Sequence, residues 1–333
     1  MSVLVTGGTG FVGLNVVEEL IARRESVIVL DSRPLPDQFL KLIAPNRHLM
    51  HFEQIDVTDQ VAVKSVFSRH VISHLFLGAA ITAGPQRERD NPQSVVDVNL
   101  QGNLNILQEA ARQGLKRVVF PSSLTVYGAS LHDREIVEEA QTPPVPESIY
   151  GITKYAAERA VFRMAQLLNF EAVAGRIGSV FGPWETFTGA RDLVSPFAQI
   201  SRACVLGETV VLPDRYPRRE MIYSRDLARA LVLLMFVPRL GHEVYNLSTN
   251  VIWTSAPEAW CEALTKKFPS FRWDHAKQGL AATIDYYDAR DRGSLSTDRI
   301  SKDLGFSSSF DLRRSIEDYS EWLQQNQQYF QRS

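Results

Sequence analysis

Tyr150 and Lys154, four residues apart in Tyr150-Gly-Ile-Thr-Lys154, are the side chains of this sequence best suited to proton chemistry. On a helix that spacing puts a phenol and an ammonium on one face. A free tyrosine, with a pKa of about 10, is a poor base at neutral pH. Lowering that value by about three units takes roughly 4 kcal/mol, which a nearby ammonium and a positively charged nicotinamide can supply in a partly dry site. Tyr150 can then take a proton from a substrate hydroxyl while hydride leaves the same carbon. Ser123, closing the run Pro121-Ser122-Ser123, is expected to hydrogen-bond that oxygen. The plain alternative, a solvated pair on a helix, loses force because a second motif stands near the N-terminus.

That motif is Gly7-Gly8-Thr9-Gly10-Phe11-Val12-Gly13. Glycines at 7, 10 and 13 permit a tight turn, let backbone N–H groups approach a pyrophosphate and let helix and strand pack closely. The helix N-terminus then faces the phosphates. An apolar run precedes the loop, an amphipathic segment follows, and a second apolar run ends in Asp31, the context a dinucleotide loop requires. An acid there can accept the adenosine ribose hydroxyls and repels a 2′-phosphate, which favours NAD over NADP. Arg33 counts in the other direction, since a guanidinium welcomes a phosphate.

The elements that must carry these residues are legible as alternation. Val3–Thr6, Val27–Asp31, Phe52–Asp56, Leu75–Ala80 and Arg117–Ser122 are short apolar runs suited to strands buried on both faces. Helix-period segments lie between them, over Phe11–Arg24 and Val95–Gln113. The expected fold is an α/β doubly wound parallel sheet of Rossmann type. Residues 1–178 are assigned to it, with 222–250 returning to it through a helix Arg225–Phe236 and a strand Val244–Leu247. Residues 179–221 and 251–333 are assigned to a smaller C-terminal substrate-binding lobe, ending in an amphipathic helix with Leu312, Ile316, Tyr319 and Leu323 on one face. The 333 residues exceed what one core usually serves, in keeping with a main domain and a lobe.

Composition excludes several classes of function. With 36 Lys and Arg against 38 Asp and Glu, the net charge of −2 offers no electrostatic motive for nucleic acid or an anionic membrane. Cys204 and Cys261 cannot form a disulfide framework or a zinc cage, and the seven histidines lack metal-ligand spacing. No apolar run reaches the length of a membrane span and no leader is recognisable, so a cytoplasmic protein with no metal is expected.

With these motifs in place, the chain resembles the extended short-chain dehydrogenase/reductases, in their NAD-dependent nucleotide-sugar epimerase/dehydratase group. The resemblance runs through Thr6–Gly13, Asp31, Asp56-Val57, Gly78-Ala79-Ala80, Val98–Asn103, Ser122–Gly128, Tyr150–Lys154, Arg176–Pro183 and Arg219–Tyr223. It implies Ser123, Tyr150 and Lys154 as catalytic residues, with Lys154 also gripping the nicotinamide ribose. For the cofactor it implies Gly7, Gly10, Phe11, Val12, Gly13 and Asp31, with Asp56 and Val57 at the adenine. Leu77, Gly78, Ala79, Ala80 and Ile177 would line the same groove, and Asn99 would support it. It also implies a homodimer through the helices 95–113 and 150–169.

The reaction remains open between epimerisation and net dehydrogenation. Dehydratases of the group carry Thr-Asp-Glu where this chain has Ser123-Leu124-Thr125, so water elimination is disfavoured. Substrate candidates are Thr82, Ser123, Leu124, Thr125, Tyr150, Ser179, Trp184, Arg191 and Arg219. Arg219 corresponds to an arginine that holds a substrate diphosphate. Ser179 falls where nucleotide-sugar enzymes carry Asn, and Arg176-Ile-Gly-Ser179 is similar to uronate dehydrogenases, which points to a sugar acid instead. Trp184–Asp192 reads as a loop over the substrate, with Trp184 either stacking on a ring or simply packing. A cofactor-binding sensor without catalysis is the remote alternative, opposed by the intact Ser123, Tyr150 and Lys154.

Overall fold

The computed structural model describes residues 2–249, 255–286, 288 and 290–331. Seven strands form the central sheet: β1 Ser2–Thr6, β2 Val27–Asp31, β3 Met50–Gln54, β4 Ile72–Leu77, β5 Arg117–Ser123, β6 Glu171–Ile177 and β7 Val244–Leu247. Their order is β7-β6-β5-β4-β1-β2-β3, and every pairing is parallel. The order reverses between β1 and β4, so a crevice opens beyond the carboxyl ends of those strands, where ligands of such sheets bind.

Burial explains which runs became strands. β2 and β5 are buried at every residue, as strands covered on both faces must be. β3 is an edge strand with mixed burial, and it lies two residues ahead of the run expected at Phe52–Asp56. Asp56 and Val57 therefore lie in the loop after β3 rather than at the end of a strand. β4 likewise ends at Leu77, which leaves Gly78–Ala80 as a turn beyond the sheet.

Helices cover both faces. Gln60–Arg69, Asn103–Arg112 and Ile149–Leu168 pack Val66, Phe67, Ile106, Leu107, Val161 and Phe162 onto one side. Phe11–Ala22 and Ser224–Phe236 pack together on the other. The helix expected from Val95 begins at Pro92, behind an Asn91 side chain that accepts the Ser94 N–H, and passes through a π turn at Asp97–Gly102 before continuing over Asn103–Arg112. Ser148 caps Ile149–Leu168 by accepting the Gly151 N–H at 3.0 Å, and Asn169 ends it in the left-handed region.

Outside the central sheet, three pairs of short parallel strands tie distant segments: Ser179–Phe181 with Met221–Tyr223, Val210–Leu212 with Trp273–His275, and Ile136–Val137 with Ser294–Leu295. The helix Leu312–Gln325 is not the last element, because Asn326 breaks it and a short helix Gln327–Gln331 follows, burying Phe330. One apolar cluster joins Val5 and Val29 of the sheet to Phe181, Phe197, Trp260 and Leu323, so the later segments share the core of the sheet. The segment boundary expected at 250/251 lies outside the described residues. Among the described residues no helix is long and apolar enough to cross a membrane.

Candidate active site

A continuous cavity of about 820 Å³ runs along the carboxyl ends of the strands, from the glycine loop to the segment beyond Asp288. At its first end, Gly7 has φ +65°, and a Cβ on Gly13 would stand 2.2 Å from the Gly7 carbonyl oxygen. Only glycine lets loop and helix approach so closely. The helix Phe11–Ala22 starts with no side-chain cap and no acid in its first turn, leaving its positive end to the cavity. Asp31 is buried; its Oδ2 accepts the Thr9 N–H and its Oδ1 the Arg33 N–H, both at 3.1 Å. Asp31 and Arg33 line the cavity side by side, with the Arg33 Nε 3.7 Å from Oδ1. Asp56, Val57, Gly78, Ala79, Ala80 and Ile177 line the same groove. These residues fit a dinucleotide: a capless helix end for its pyrophosphate and an acid at the end of β2 for a ribose.

Midway along the cavity stand Ser123, Tyr150 and Lys154. Ser123 ends β5, where its Oγ accepts the Thr125 N–H at 3.2 Å and the Thr125 hydroxyl at 2.9 Å. Tyr150 opens its helix one turn before Lys154, and its own N–H is bound by the Glu88 carboxylate at 2.9 Å. Burial pushes the Tyr150 phenol above the usual tyrosine value, while the Arg191 guanidinium and the Ser123 and Thr82 side chains pull it down. Burial lowers Lys154 to about 7, opposed by the carboxylate of Glu158. The Lys154 Nζ lies 4.3 Å from the centre of the Phe120 ring. The Arg191 guanidinium is thus a charge acting on the phenol that the sequence did not point to.

The far end is lined by Arg191, Arg219 and Arg292 with Ser179, Tyr286 and Asp288. Arg219 bonds the Asp288 carbonyl, and Arg292 bonds the Ser179 hydroxyl. Desolvation, with Arg292 as a like charge, lowers Arg219 to about 10. The Nε atoms of both arginines are buried without a partner among the described residues. Two desolvated guanidiniums facing one space are suited to an anion. Arg191 instead pairs with buried Glu185 at 2.7 Å, and its guanidinium lies 5.2 Å from the Phe11 ring. Its segment is fastened to Thr82 by two backbone bonds, Thr82 N–H to Ala190 O and Asp192 N–H to Thr82 O, and to Arg87 through Asp192.

Three expected contacts are corrected. Trp184 does not line the cavity: it is 1% exposed, its ring meets Phe39, Trp322 and Tyr329 edge-on, and its Nε1 donates to Glu18 at 3.2 Å. It is a packing tryptophan, set in the left-handed region at φ +72°. Leu77 is fully buried with Leu4 and Ile28, and Phe76 and Gly78 border the groove in its place. Asn99 spends its amide on the Ile81 N–H and C=O and on the Thr153 hydroxyl, so it braces the turn after β4 without reaching the cavity. Thr82, Leu124 and Thr125 do line it. Sequence reasoning missed Arg292, Tyr286, Asp288 and Glu88. None belongs to a motif, and only the cluster of charge in Asp288–Arg292 marked that segment.

A model of the NAD dependent epimerase/dehydratase family matches residues 3–248. The chain belongs to that family. It is an NAD-dependent enzyme of the short-chain dehydrogenase/reductase type. Its sequence is 25% identical over 329 residues to a putative UDP-glucose 4-epimerase of Methanocaldococcus jannaschii, covering 97% of this chain and 99% of that one. It is 28% identical over 249 residues to a UDP-glucuronate 4-epimerase of Thermodesulfobacterium geofontis, covering 73% and 74% of the two chains. Its structure superposes on the UDP-glucose 4-epimerase of Thermus thermophilus, solved as a complex with NAD, with a TM-score of 0.77 at 25% identity, covering 98% of this chain and 100% of that one.

Proposed function

We propose that the chain is a 4-epimerase of a UDP-linked sugar, with Tyr150 as the acid and base. The supporting observation is one continuous cavity that holds the glycine loop, the Ser123–Tyr150–Lys154 group and two desolvated arginines in line. Bound NAD would supply the oxidation and re-reduction of the sugar carbon. In this reading Tyr150 takes the proton of the C4 hydroxyl and gives it back, Ser123 holds that oxygen, and Lys154 binds the nicotinamide ribose. Gly7, Gly10, Phe11, Val12 and Gly13 carry the pyrophosphate, and Arg219 with Arg292 binds the substrate diphosphate. The substrate end belongs to a lobe formed by residues 179–221 and 251–333, closing over the nucleotide-binding part.

A second reading is net dehydrogenation of a sugar acid. Two observations favour it: Ser179 is taken up by Arg292, and Arg191 stands close enough to act on the Tyr150 phenol. One incubation separates the two. Purified protein given UDP-glucose, UDP-glucuronic acid or free galacturonic acid without added NAD should convert a UDP-sugar to its 4-epimer, detected by NMR. Conversion of the free acid only, and only with NAD added, overturns the epimerase reading. The assembly proposed is a homodimer through the helices spanning 95–113 and 150–169, on which Ile152 is 46% and Leu167 59% exposed; sedimentation at a monomer's mass would refute it.

A further inference from the structure

Next to the catalytic group, outside the lining of the cavity, lies a buried ion pair that the proposed chemistry does not use. Glu158 is fully buried and Arg176 is 5% exposed. The Arg176 Nη2 donates to Glu158 Oε1 at 2.6 Å and its Nε to Oε2 at 3.1 Å. The Ser122 hydroxyl donates to the same Oε2 at 2.6 Å. The Arg176 guanidinium lies 4.7 Å above the Tyr127 ring, and the Tyr127 hydroxyl donates to Asn246 at 2.8 Å. The pair thus joins β5, the helix Ile149–Leu168, β6, the turn after β5 and β7 at the floor of the site.

Stability alone gives little reason for this arrangement. Desolvating both charges costs several kcal/mol each, and apolar residues of similar volume often serve as well. Its placement gives a better one. Glu158 follows Lys154 by four residues, one helical turn, on the same face. Ser122 immediately precedes Ser123, and β5 pairs Ser122 with Arg176 in register. One carboxylate therefore bonds the residue next to one catalytic side chain and stands one helical turn from another.

The geometry points to Glu158 as a positioning residue of the active site: its carboxylate, held by Arg176 and Ser122, supports the protonated form of Lys154 from one helical turn away and fixes the strand end that carries Ser123. Few polar groups surround Lys154 among the described residues. Its own helix offers Tyr150 and Glu158, β5 offers Ser122 and Ser123, the turn after β5 offers Tyr127 with Glu139 behind it, and β6 offers Arg176. Burial alone would discharge the ammonium, and Glu158 is the carboxylate that opposes this. The working role of Lys154 rests on the function proposed above; the electrostatic claim does not.

The test is the titration of Lys154 in the cofactor-free protein, followed by NMR of labelled lysine side chains and assigned with a Lys154→Arg variant. The wild-type midpoint should lie near about 7. Glu158→Gln should lower it by about one unit or more, and Glu158→Asp should restore most of the shift. If Gln beside an unpaired Arg176 prevents folding, Glu158→Gln with Arg176→Met removes both buried charges, and a smaller fall in the same direction is expected, since loss of the Arg176 cation offsets part of it. An unmoved midpoint in either Gln variant overturns the proposal. The measurement needs no substrate, so failure to convert a UDP-sugar counts against the proposed function alone, and an unmoved midpoint against Glu158 alone.

Discussion

At the cofactor end of the cavity, Gly7, Gly10 and Gly13 lie within one loop between β1 and its helix, and Asp31 ends the adjacent strand. At the other end, Arg191, Arg219 and Arg292 come from three separate segments, each held by a partner far along the chain or by a loop contact. The first end is built from backbone: a turn, a helix terminus and a strand register, all fixed by the sheet. The second is built from long side chains whose positions depend on one another. A dinucleotide site of the first kind can stay constant while the second changes its ligand by altering a few side chains.

Breaking the second end should have the largest effect. Replacing Arg219 and Arg292 together with Met should raise KM for a UDP-sugar by about 100-fold or more, the loss of two charge-assisted hydrogen bonds, with NAD binding unchanged. An equal loss of NAD affinity would mean that the two ends are not independent. Breaking the first end with Gly13→Ala forces a Cβ against the Gly7 carbonyl and should weaken NAD by about 1–3 kcal/mol in a calorimetric titration. Trp184→Phe should lower the stability of the fold by about 1–2 kcal/mol in denaturant unfolding and leave KM alone. A changed KM would return Trp184 to the substrate.

The pH dependence of folding sharpens the comparison least but checks the floor of the site. Burial holds Lys154 near about 7, below its unfolded value of 10.5. Between these values the unfolded chain carries a proton that the folded chain lacks. Stability of the cofactor-free protein therefore rises with pH across that window, and is lowest, from this group, below about 7. Lys154→Met should remove that component of the rise, measured as unfolding midpoints at several pH values.

The sheet was legible because its strands are buried on both faces and so read as unbroken apolar runs; β2 and β7 fall at their expected residues. β3 was displaced by two residues because an edge strand needs no such run. The glycine loop and Tyr150–Lys154 were legible because their chemistry depends on spacing along one element. Arg292, Tyr286 and Glu88 were not, since the cavity acquires them through tertiary contacts. Trp184 was misplaced for a related reason: a tryptophan beside flexible residues looks like a loop anchor until Phe39, Trp322 and Tyr329, from elements far apart in sequence, enclose it.

The central claim is that the Tyr150 phenol handles the substrate proton beside a bound dinucleotide. The direct measurement is Tyr150→Phe, assayed in parallel for turnover of a UDP-sugar and for NAD affinity. Turnover should fall by about 100- to 10,000-fold, the usual contribution of a general acid and base, with NAD affinity unchanged. Turnover within a few fold of wild type, with NAD bound as before, would contradict it.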